Sequence, residues 1–91
     1  MAAERRVVTY FGHVQGVGFR YTTQRVARQF HVTGYVRNLP DGSVELVVEG
    51  EPTELERFLG AVHYRMRDYI QRTQVRNEPA TGEFDGFSIR H

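Results

Sequence analysis

Apolar and polar positions alternate loosely from Arg5 to His13 around Val7, Val8, Tyr10 and Phe11, as in a strand with one or both faces covered. The next nine residues, GHVQGVGFR from 12 to 20, hold three glycines in seven positions and suit neither a helix nor a strand interior, so they form a loop with special backbone angles. From Tyr21 to Phe30 the apolar positions Val26, Ala27 and Phe30 follow helical spacing, with Thr22 or Thr23 available as a cap. Val32 to Leu39 and Val44 to Glu49 read as strands joined by the turn Pro40-Asp41-Gly42-Ser43, which makes a hairpin. Gly50-Glu51-Pro52 ends it. Leu55, Phe58, Leu59 and Val62 then mark a second helix with Pro52 or Thr53 near its start and Glu54 and Glu56 in its first turn. Tyr69 to Val75 and Phe87 to His91 read as two last strands joined by a polar loop containing Pro79 and Gly82.

The order strand, helix, strand, strand, helix, strand predicts an α+β fold of the ferredoxin-like split βαβ type, with a further short C-terminal strand and both helices on one face of a mainly antiparallel sheet. In that topology the first two strands are parallel and flank the third. The glycine loop, the start of the first helix and Asn38 at the end of the second strand then share one edge of the sheet.

Composition narrows the functional classes. At 91 residues the chain is expected to form a single domain over 1–91. Hydrophobic residues are 40% and charged residues 25%, as in a folded soluble protein. No apolar run approaches the roughly 20 residues that span a bilayer, and no signal-type stretch opens the chain, so the expectation is a cytoplasmic protein without a membrane partner. The absence of cysteine removes thiolate nucleophiles and zinc-thiolate sites. With a formal net charge of +1, no overall field favours nucleic acid, and a bound anion needs a local site.

The glycine loop entering a helix is the candidate for that site. Backbone N–H groups and the helix dipole converge there on negative charge. Gly16 and Gly18 let the backbone curl around a phosphate, Val17 and Phe19 wall the loop, and Arg20 can donate two hydrogen bonds to phosphate oxygens. A glycine cluster equally suits a tight strand-to-helix reversal. The run is neither a Walker A sequence nor a dinucleotide GxGxxG, and Val14 stands where a cysteine-dependent phosphatase would place its nucleophile. Asn38 has two readings as well: bonding its own backbone beside the turn, or orienting a water molecule through a neutral carboxamide that both donates and accepts.

Together, GHVQGVGFR (12–20) and GYVRNLPDGSVELVVEG (34–50) resemble the two signature segments of the acylphosphatases, in order and spacing. The matching positions are Val14, Gln15, Gly16, Val17, Phe19 and Arg20, then Gly34, Asn38, Gly42, Val44 and Gly50. The resemblance implies metal-independent and cofactor-free hydrolysis of small-molecule acyl phosphates, releasing inorganic phosphate. It implies that Arg20 and the amides of Gln15, Gly16, Val17, Gly18, Phe19 and Arg20 bind the phosphoryl group, while Asn38 places the attacking water. A monomer that binds no nucleic acid is expected. One departure is AVHYRMRDYIQR, residues 61–72, which lacks the Gly-Pro pair many members carry after the second helix. Two other functions compete: a single-stranded RNA-binding module, since such domains share the split βαβ architecture, and a non-catalytic domain that binds acyl or carbamoyl phosphate.

Other polar residues receive structural readings. His13, His31, His63 and His91 lack metal-ligand spacing, so no metal is assigned. Asp41 is expected to bond the turn backbone. Glu45 and Glu49 are expected to face water, and Arg65, Arg67, Arg72 and Arg76 to form a solvated face.

Overall fold

A computed structural model describes residues 2–91, and Met1 lies outside the described residues. The elements are β1 (Glu4–Gly12), α1 (Phe19–Ala27), β2 (Thr33–Asn38), β3 (Val44–Gly50), α2 (Pro52–Met66), β4 (Ile70–Pro79) and β5 (Phe87–Arg90). They form a five-stranded sheet in the order β4-β1-β3-β2-β5, in which only β2 and β5 pair in parallel. Two helices pack on this sheet, the α+β, ferredoxin-like arrangement the element order predicts.

Register explains the core. Val75, Val8, Leu46, Val36 and Ile89 form one row across all five strands, and the next row contains Thr73, Tyr10, Val44 and Asn38. Val8, Tyr10, Val36, Val44 and Leu46 are buried beneath Phe19 and Val26 of α1 and Leu55, Phe58, Val62 and Met66 of α2. Alternation then sends Arg5, Val7, Tyr35, Val47 and Glu49 to the opposite face.

Several boundaries differ from the sequence-based expectation. Helix α1 starts at Phe19 and its N-cap is Gly18, with no side-chain cap. Thr23 does not cap it: the hydroxyl is on the buried stripe and donates to the Phe19 carbonyl, 2.8 Å away, within the helix. Strand β4 runs past Val75 to Pro79, because backbone pairing with β1 continues to Glu4↔Pro79 although the side chains are polar and exposed. In the segment without the Gly-Pro pair, α2 continues to Met66 and a short turn closes with the Tyr69 amide on the Met66 carbonyl at 2.9 Å.

The expectation that Glu49 faces water is wrong. Residues 80–86, linking the two edge strands, cross the face away from the helices and bury Glu49 to 4% exposure. Its carboxylate accepts hydrogen bonds from Arg5 Nε (2.8 Å), the Thr81 amide (2.9 Å) and the Gly82 amide (3.0 Å). Burial raises the pKa of this carboxyl, but the two amides and the guanidinium outweigh it and hold the group below the usual glutamate range. Glu45 is half-buried and pairs with Arg37 at 2.7 Å.

Candidate active site

The chain from Gly12 to Gly18 leaves β1 and delivers α1. Gly16 and Gly18 both have φ of 78°, and a Cβ at either would meet nothing within 4 Å. Glycine is required there by backbone angle rather than by space. Phe19 anchors the start of α1 by packing its ring 4.8 Å from that of Tyr10.

Gln15 ties this loop to the β2–β3 turn. Its Nε2 donates to the Leu39 carbonyl at 2.8 Å and to the Ser43 carbonyl at 2.9 Å. The turn is itself braced, since the Ser43 amide donates to Asp41 Oδ1 at 2.9 Å and the Leu39 amide donates to the Ser43 carbonyl at 2.9 Å. The Ser43 hydroxyl and amide hold the Asp41 carboxyl below its ordinary range, as expected of an acid bonding its own turn. Asn38, at the end of β2, is thereby kept beside the loop.

The two regions meet at a cavity of about 170 Å³. Gly16, Gly18, Phe19, Arg20 and Asn38 line it. Arg20 and Asn38, eighteen positions apart in sequence, therefore face one space. Gln15 and Val17 are not among the lining residues: the Gln15 side chain is committed to the turn, and Val17 packs against the core. Tyr21, Ile89, Val14 and His91 complete the lining. Sequence reasoning missed Tyr21, whose only signal was its position after Arg20. It also missed Ile89 and His91, which reach the cavity only because β5 pairs with β2.

Arg20 is half-buried, and among the described residues no carboxylate lies within ion-pair distance of it. Its side-chain partner is His91, with Nη1 3.2 Å from Nδ1. The positive charge is left for an anion, and a guanidinium beside main-chain donors suits a phosphoryl group. A larger depression of about 470 Å³ over Val7, Thr9 and residues 74–76 has neither feature, and its cation, Arg76, is paired with Glu78 at 2.7 Å. Among the described residues, no group of three or more His, Cys, Asp or Glu side chains is arranged to hold a metal ion.

A sequence model of the acylphosphatases matches residues 6–89. The chain belongs to the acylphosphatase family. An acylphosphatase of Thermococcus kodakarensis is 41% identical over 90 residues, covering 98% of each chain. One from Yersinia pseudotuberculosis is 44% identical over 87 residues, covering 93% of this chain and 95% of the relative. The crystal structure of acylphosphatase from Bacillus subtilis superposes with a TM-score of 0.83 at 31% identity, covering 98% of this chain and 99% of that one. As an acylphosphatase, the chain lines this cavity from both of its signature segments, with Gly16, Gly18, Phe19 and Arg20 from 12–20 and Asn38 from 34–50.

Proposed function

We propose that this acylphosphatase hydrolyses small acyl phosphates with Arg20 and the amides of residues 15–20 gripping the phosphoryl group and Asn38 positioning water. The supporting observation is that the positive-φ glycine loop, a guanidinium with no carboxylate partner among the described residues and a carboxamide share one cavity of about 170 Å³. The oxygen of the water attacks phosphorus in line, the bond from phosphorus to the carboxyl oxygen breaks, and the carboxylate leaves with the bonding electrons. The water proton passes to a phosphate oxygen. Because the leaving group is good and the transition state is loose, positioning and charge stabilisation supply most of the acceleration.

The test is hydrolysis of benzoyl phosphate by the wild type, Arg20→Gln and Asn38→Ala, each checked by circular dichroism. Both variants are expected to fold and to lose at least about a hundredfold in turnover, the loss typical of removing one positioned charge-stabilising donor. Inhibition by inorganic phosphate should weaken mainly in Arg20→Gln. Normal rates in either variant would refute that residue's role.

We further propose a monomer that resides in the cytoplasm and binds no nucleic acid. Supporting the last point, the aromatic rings on the face away from the helices are already stacked: Arg90 lies 3.7 Å from the Tyr35 centroid and Arg5 lies 5.1 Å from that of Phe84. Bases would have to displace them. No helix among the described residues is long and apolar enough to cross a membrane. Light scattering at micromolar concentration, fractionation of tagged protein, and gel shifts at varied salt test the three points.

A further inference from the structure

We infer that His91 is a positioning residue for Arg20, its imidazole holding the guanidinium in the phosphate-binding direction; this rests on the role proposed for Arg20. The β2–β5 ladder ends at Arg37↔Arg90. One residue further, alternation puts His91 on the helix-side face next to Asn38, where it lines the cavity and lies 3.2 Å from Arg20 Nη1 through Nδ1. A guanidinium donates and never accepts, so Nδ1 must offer a lone pair and the ring proton must sit on Nε2. This costs Arg20 one of five N–H donors and leaves four for phosphoryl oxygens.

The choice of partner matters. A carboxylate in this position would orient Arg20 but neutralise the charge a phosphoryl group needs; an imidazole orients it and leaves the charge intact. Around His91, the titratable groups lining the cavity are Arg20 and the Tyr21 phenol from α1. From β2 comes the uncharged Asn38, with Arg37 on the other face, and from the loop come the backbones of Gly16 and Gly18.

The test compares wild type, His91→Ala and His91→Asn in benzoyl phosphate hydrolysis and inorganic phosphate inhibition. Asparagine places an oxygen acceptor where Nδ1 stands. His91 is exposed at the end of β5, so all three proteins should fold alike. At pH 7.5, His91→Ala should raise KM and the phosphate inhibition constant about five- to tenfold with a smaller change in kcat, as for loss of one charge-assisted hydrogen bond. His91→Asn should restore most of that loss. An Ala variant within twofold of wild type, or an Asn variant no better than Ala, overturns the inference while leaving the Arg20 reading intact. Full activity in Arg20→Gln overturns both.

Discussion

Replacing Glu49 by alanine should destabilise the protein substantially although the residue lies outside the cavity. The carboxylate accepts hydrogen bonds from the Thr81 and Gly82 amides and pairs with Arg5, with Arg5 Nη2 2.7 Å from Oε2. Removing it strands two amides and a guanidinium. Truncating one partner of a fully buried pair costs about 3–5 kcal/mol. Here the Arg5 side chain is 15% exposed and keeps Glu83 as a partner. Water therefore reaches part of the orphaned group, and about 2–3 kcal/mol is the expected loss. For a chain of this size that lowers Tm by about 10–20 °C. Glu49→Gln retains an oxygen acceptor and should lose about half as much.

The pH dependence of the wild type carries the same signature. Because hydrogen bonds depress the folded-state pKa of Glu49, its contribution is complete above the unfolded-state value of roughly 4.3 and fades as pH falls through the lower folded value. The Gln variant should lose less stability across that acid window. Function is coupled to this network, because residues 80–86 lead into the strand that carries Ile89 and brings His91 to the cavity. Thermal unfolding followed by circular dichroism at pH 7 and at pH 3 to 4 measures both effects. A Tm for Glu49→Ala within about 3 °C of wild type, or matching acid profiles for wild type and Glu49→Gln, would refute the reasoning.

Other consequences are testable separately. Gln15→Ala removes two hydrogen bonds between the glycine loop and the turn and should cost about 1–2 kcal/mol in urea unfolding, with a several-fold rise in KM for benzoyl phosphate. Gly18→Ala has room for its methyl group but must keep a φ of 78°; it should cost about 1 kcal/mol and weaken inorganic phosphate inhibition, read by calorimetry and steady-state kinetics. Chelator treatment should leave hydrolysis unchanged, and activity lost to EDTA and restored by a divalent cation would refute the metal-independent mechanism.

Much of the fold was legible because local periodicity expresses it. The alternation around Val8 and Tyr10, the turn at Pro40–Ser43 and the stripe Leu55, Phe58, Val62 each report burial within one element. Part of the cavity lining was legible for a related reason: Gly16, Gly18 and Arg20 fall within five residues, and the position of Asn38 follows once the strand order is known. Where an outcome depends on backbone pairing alone, side-chain pattern is silent, and so β4 extended through exposed polar residues to Pro79. Glu49 looked like an outward-facing strand acid because nothing local announces that residues 32 positions downstream will cover it.

By itself, then, the sequence determined the element order, the glycine-lined loop and the two segments that meet at the cavity, since each rests on short-range sterics and the alternation of burial. Only the tertiary structure decided that Glu49 is buried, that Gln15 serves the turn, and that His91 stands against Arg20. Those outcomes depend on which edge β5 joins and on the path of its connection across the sheet. Both are fixed by the summed packing of distant strands and helices, which no local window of residues contains.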